Sequence, residues 1–207
     1  MSTQQVADSS RPGLVVSPQA PLFTTFIAIV LGTSLLEFNE FLFPPKLASI
    51  QFWALLAPYY GAFSSWFGTV TMSRGRPFKD TFLSRLWLLS GVLVIISLLA
   101  LMYLATRAAD SFLLYMWGWV FPFLFWELTY IFRYLDTRLP EPIGLCTLFT
   151  SIAIVVAIVY TILVSAFIHI PDIANWVFIF VAFATIVSFR QLLRVRHAWQ
   201  PVPVEQN

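Results

Sequence analysis

Residues 86–106 read LWLLSGVLVIISLLALMYLAT, a stretch of 21 positions without a charge. An α-helix needs about 20 apolar residues to cross the roughly 30 Å hydrocarbon core of a bilayer. Arg85 stands immediately before the stretch and Arg107 immediately after it, where long cationic side chains reach the headgroups. The apolar positions do not alternate with a period of two, so the stretch is not a barrel strand. Backbone polar groups in hydrocarbon must be satisfied within the segment itself, which leaves the helix as the spanning element.

Working outward, further apolar runs fall at 22–43, 50–72, 111–132, 143–168 and 174–192. The joints between the runs are polar, basic or proline-bearing: Pro44-Pro45-Lys46, Ser73 to Arg85, Arg107 to Asp110, Arg133 to Pro142, and His169 to Asp172. Proline at several of them argues against continuous helix. The expected fold class is therefore all-α: a polytopic bundle of six transmembrane helices over 22–193, with an unstructured tail at 1–21 and a cytoplasmic tail at 194–207 whose Pro-rich ending, Pro201 to Asn207, is also unstructured. Composition agrees. Of 207 residues 59% are hydrophobic, 17% aromatic and 11% charged, against about 25% charged in a soluble domain, and the mean hydropathy is +0.81.

Six crossings place both termini on one side, and the cations then divide unevenly. One side carries Arg11, Arg74, Arg76, Lys79, Arg85, Arg133, Arg138, Arg190, Arg194 and Arg196; the other carries Lys46 and Arg107. The positive-inside rule makes the richer side, and both termini, cytoplasmic. Arg190 lies inside the last apolar run, and the expectation is that it snorkels toward the cytoplasmic headgroups. A multi-pass protein of the cell membrane is the expected localisation.

Several chemistries find no footing. The net charge of +2 is too small, and too confined to span ends, for nucleic-acid binding. The single cysteine, Cys146, cannot form an internal disulfide and reads as a buried inert thiol. No Gly-x-Ser-x-Gly, His-Glu-x-x-His, P-loop or dinucleotide fingerprint occurs. Ser165, His169 and Asp172 lie close in sequence, but Pro171 interrupts the helix they would share. His169 and His197 fall on opposite sides of the membrane. No enzyme activity, cofactor or metal site is expected.

Intramembrane polar residues carry whatever function can be read. At 100° per residue Thr33, Glu37 and Glu40 fall within about 60° of one another, an acidic stripe in the outer half of the first span. Glu37 and Glu40 read either as a mouth that attracts cations or as interfacial partners of Lys46. Glu127 lies deeper, about five residues from the cytoplasmic end of the fourth span. Tyr130 and Tyr134 share its face, Arg133 lies about 120° away, and its partner is expected on another helix. A carboxyl so placed suits either a structural hydrogen-bond anchor between helices or a proton relay or coupling site.

In the second span Ala57, Tyr60, Gly61, Ser64, Gly68 and Thr71 fall within about 100°. Ala57-xxx-Gly61 and Ser64-xxx-Gly68 have the spacing of close helix packing, whereas the hydroxyls of Tyr60, Ser64 and Thr71 suit a solute-facing surface. Pro58 here and Pro122 in the fourth span are expected to free helical carbonyls. Arg74, Arg76, Lys79 and Arg85 are expected to contact anionic lipid at the cytoplasmic face, with Asp80 or Ser84 capping the third span. The deep indoles Trp66, Trp117, Trp119 and Trp126 read as packing between helices.

Together these residues point to a channel or transporter for a cation, proton or small solute. Spans one, two and four would line its route, and a homo-oligomer or a partner subunit would complete it. The alternative is a scaffold or accessory subunit that binds a partner protein or lipid.

Overall fold

The computed structural model describes residues 19–72, 81–138, 141–166 and 172–198, with side chains described over 25–65, 81–138, 141–166 and 173–195. Among the described residues there are eight helices and no strand: α1 (Gln19–Glu37), α2 (Asn39–Leu42), α3 (Ile50–Met72), α4 (Phe82–Thr106), α5 (Phe112–Gly118), α6 (Val120–Thr137), α7 (Ile143–Ala166) and α8 (Asp172–Ala198). The all-helical class follows from the apolar runs quoted above, each of which falls on helix. Phe82–Thr106, Phe112–Thr137, Ile143–Ala166 and Ile173–Val195 are each long and apolar enough to cross a membrane. At 1.5 Å per residue the 25 residues of α4 span about 37 Å.

Two expected spans are interrupted. The first breaks at Phe38, whose backbone (φ −103°, ψ 18°) leaves helical geometry and separates α1 from α2. The fourth breaks at Trp119, between α5 and α6. Pro122 has no N–H to offer the Gly118 carbonyl one turn back, so the helical ladder is weakest at that point. Gly118 also lies close against α4: a Cβ there would come 2.7 Å from Leu101 Cδ1.

Pro58 behaves differently. It lies inside α3, which continues through it from Ile50 to Met72. Proline leaves the carbonyl four residues earlier without its helical donor, and that carbonyl belongs to Ala54. The buried Tyr115 hydroxyl donates to it at 2.9 Å. The freed acceptor is thus closed by a neighbouring helix rather than left open to a ligand.

The helices close into a ring. α3 packs on α4, α4 on α6, α6 on α7, α7 on α8, and α8 back on α3, while α1 leans on α3 and α4 from outside. Each ring helix turns an apolar stripe at three- and four-residue spacing inward. In α4 this stripe includes Val94, Leu98, Leu101, Met102 and Ala105; in α7 it includes Cys146, Phe149, Ala153, Ala157 and Tyr160. Along α5 and α6, Phe112, Tyr115, Trp119, Phe123, Trp126 and Tyr130 form a buried aromatic column that continues across the break.

Phe189 of α8 meets this column at ring-centroid distances of 5.5 Å from Phe123 and 5.2 Å from Trp126. Phe149 of α7 closes the cluster, 5.2 Å from Phe189. Trp119 and Trp126 thus pack between helices, whereas Trp117 faces outward and its Nε1 donates to Thr161 at 3.0 Å. The side chain of Trp66 lies outside the described residues.

Polar ties fix the ends. Thr81 is the N-cap of α4, forming a capping box with Ser84, so the cap is neither Asp80, which lies outside the described residues, nor Ser84 itself. The Thr81 hydroxyl also donates to Asp136 of α6. Arg133 Nε pairs with Glu141 Oε1 at 3.1 Å, joining α6 to the start of α7. At the other end, Tyr160 donates to Asn175 at 2.8 Å.

Candidate functional site

Arg190 corrects the sequence-based expectation most strongly. It does not snorkel outward: it is 7% exposed and points into the ring, where α8 meets α3 and α6. Its guanidinium carbon lies 4.2 Å from the centre of the Trp126 ring and 5.5 Å from that of Phe189. Nη2 donates to Ser65 Oγ and reaches the Gly61 carbonyl oxygen at 3.5 Å. The physical reason lies in the helical wheel: Arg190 falls within about 40° of Ile179 and Ile186, both on the buried stripe of α8. Small residues on α3 leave room for the side chain, and an indole face offers a cation–π partner.

Tyr130, Cys146 and Tyr60 lie within electrostatic reach of the guanidinium, together with Arg194. Arg190 Nε is buried and has no hydrogen-bond partner among the described residues. No carboxylate contacts Arg190 among the described residues; the ion pair that α6 makes at this end joins Arg133 to Glu141.

The expected span-two face takes part in this crossing. Ala57 is fully buried. Gly61 faces both neighbours, since a Cβ there would lie 3.3 Å from Leu98 of α4 and 3.7 Å from Ile186 of α8. Ser64 is buried and donates to the Gly61 carbonyl at 3.1 Å. Tyr60 is half-buried with its ring 6.0 Å from Phe183 of α8. Gly68 and Thr71 belong to α3, but their side-chain positions lie outside the described residues.

Glu127 occupies another place. It is half-buried on α6 and accepts a 2.7 Å hydrogen bond from Thr147 of α7. Thr147 is exposed and also donates to its own Ile143 carbonyl. The partner is on another helix, as expected, but it faces the outer seam between α6 and α7. Tyr130, one turn along, is buried, while Tyr134 is exposed. The structure therefore does not bring Glu127 together with the α3 hydroxyls: α3 meets α4 and α8, and α6 meets α4 and α7.

Glu37 and Glu40 are both exposed, on α1 and α2 respectively. The break at Phe38 removes the continuous helix on which their common stripe was drawn, and α1 sits outside the ring, so neither glutamate lines its interior. Among the described residues no ion pair joins them to Lys46. Arg85 is exposed at the start of α4, whereas Arg74, Arg76, Lys79 and His169 lie outside the described residues; the expected tails are shorter than drawn, since α1 begins at Gln19 and α8 runs on to Ala198, and 1–18 and 199–207 lie outside the described residues.

Arg190, Ser65 and Trp126 are the site residues that sequence reasoning missed. A signal was present: an arginine on the apolar stripe of its own helix, opposite a span with glycine and two adjacent serines. Comparison of the chain with protein-family models, curated proteins and solved structures gives no match in any of the three. What fold and composition establish is the class: this is an integral membrane protein built as a helical bundle.

Proposed function

We propose that the protein is a small multi-pass transporter, crossing the cell membrane six times with both termini in the cytoplasm, and moving a small solute through its bundle. α1–α2 and α5–α6 each count as one crossing. With Arg190 inside the bundle, the remaining nine-to-two division of cations supports this orientation, and it sets Arg85, with Arg74, Arg76 and Lys79, against anionic lipid. A buried guanidinium carries the reading. An intramembrane cation is costly and marks a solute or ion path by default, and Arg190 is held where α8, α3 and α6 meet.

A fixed positive charge there disfavours a cation at the crossing, which leaves the small-solute form. Glu127, bonded to Thr147 at the seam of α6 and α7, is the intramembrane carboxyl whose replacement tests whether proton flow is coupled to the solute. The aromatic column that fills the ring favours a second reading, a packed scaffold that binds a partner subunit or lipid, in which Glu127 serves only to hold α6 to α7. The two separate in proteoliposomes at matched incorporation. Under the transport reading, solute-driven proton flux appears with wild-type protein, is lost in Glu127→Gln and persists in Glu40→Gln. Flux unchanged in Glu127→Gln would remove the carboxyl from the mechanism; no flux from wild type under any gradient would leave the scaffold.

A further inference from the structure

Arg190 has more hydrogen-bonding capacity than the protein satisfies. A guanidinium presents five N–H donors in a planar fork that matches two oxygens of one oxyanion. Nη2 is engaged with Ser65 and the Gly61 carbonyl, while Nε is buried without an acceptor among the described residues. A buried charge without a counter-charge is expensive, and among the described residues no carboxylate supplies one. The partners it does have are a serine, a carbonyl and two aromatic rings, which satisfy geometry but leave one positive charge uncompensated.

The surroundings narrow what would compensate it. Tyr130 lies on the same side of the bundle within electrostatic reach. Its ring is buried in the aromatic column. Tyr60 approaches from α3, its ring against Phe183. A single net charge calls for a monoanion, the bare Nε–H calls for one of its oxygens, the nearby Tyr130 calls for a second oxygen of the same group, and the rings of Trp126 and Phe189 beside the guanidinium call for an apolar body.

The geometry points to a binding site for a monocarboxylate with an apolar body, its carboxylate on Arg190 Nε and the Tyr130 hydroxyl and its body against Trp126. This deepens the transport reading by assigning the solute class, and it rests on that reading for its biological role. A carboxylate of this kind arrives either from water, as a free organic acid, or from the bilayer, as a fatty acid.

Direct binding tests the site without any gradient. Radiolabelled benzoate is dialysed to equilibrium against the full chain in nanodiscs, with oleate carried in the nanodisc lipid as competitor and inorganic phosphate as a control anion. Saturable benzoate binding is expected, weakened about tenfold in Tyr130→Phe, which loses one hydrogen bond to a charged group. It should be lost in Arg190→Lys, which keeps the charge without the fork. Displacement by oleate at low mole fraction assigns the bilayer source; indifference to oleate assigns the aqueous one, and both support the site.

Absence of saturable binding of both benzoate and oleate would overturn the proposal, as would equal affinity in wild type and Tyr130→Phe, or phosphate displacing benzoate at equal concentration. Tyr130→Phe keeps the test decisive if Arg190→Lys fails to fold. Binding without flux would refute transport and leave the site standing; flux of benzoate without binding at Arg190 would refute the site alone.

Discussion

Arg190 and Tyr115 address the same physical problem, a polar group inside a packed apolar ring, in different ways. Tyr115 satisfies the Ala54 carbonyl that Pro58 leaves without its helical donor, so Tyr115→Phe should strip a buried acceptor of its only replacement donor. The expected loss is about 1–3 kcal/mol of stability, read by unfolding in detergent. Ser65 and Ser64 offer a sharper comparison, because Ser65 accepts from Arg190 whereas Ser64 bonds only the carbonyl of its own helix. Ser65→Ala should cost about 1.5–3 kcal/mol, as expected for a hydrogen bond to a charged group, and Ser64→Ala much less. Equal losses would mean that the guanidinium does not depend on α3.

At this scale the sequence was legible in part. The position of Glu127 relative to Arg133 correctly excludes an intrahelical pair and sends its bond to another helix. Nothing in the chain says that Thr147 is the receiving partner or that the pair faces an outer seam, because seam position depends on the rotation of α6 against α7. Arg190 was readable from the stripe it shares with Ile179 and Ile186. Its nearness to the helix end made the cheaper snorkelled geometry the natural expectation.

Among the elements, glycine and threonine set how α3 and α4 are held. Gly61 admits a methyl at the cost of moving the tip of Leu98, which lies 3.3 Å from the position of the added carbon. Gly61→Ala should therefore leave assembly intact, whereas Gly61→Leu should push α3 off both α4 and α8, at about 1–3 kcal/mol for an overpacked core. Gel filtration and thermal unfolding of the two variants distinguish a close-packed face from an open one. Thr81→Ala removes a helix cap and the bond to Asp136 together; loss of the cap alone costs about 1 kcal/mol, and the measured loss should exceed that.

Helices as units follow from the apolar runs because their length and hydropathy are averages over many residues, so no single position decides them. Breaks are single-residue events and are harder to read. Pro122 marks the α5–α6 break within a turn, but no comparable residue marks Phe38, whose departure from helix separates Glu37 from Glu40. An acidic stripe drawn on a wheel presumes an unbroken helix, and that presumption fails there.

For the molecule as a whole, the ring of α3, α4, α5–α6, α7 and α8, with α1 outside it, filled by an aromatic column and holding one buried cation, is what the account asks to be true. Ring order is a property of tertiary packing and was not legible: sequence reasoning placed spans one, two and four around a shared route, whereas α4 lies between α3 and α6. Depth is the most direct measurement. In a Cys146→Ser background, single cysteines at Ala109, Arg138 and Ser188 are labelled with a membrane-impermeant maleimide, on intact and then on opened membranes. Ser188 is exposed on α8, two positions from Arg190. The account predicts that Ala109→Cys labels in intact cells, Arg138→Cys only after opening, and Ser188→Cys from neither side. Labelling of Ser188→Cys as fast as that of Arg138→Cys would put Arg190 at the aqueous interface and contradict the buried site.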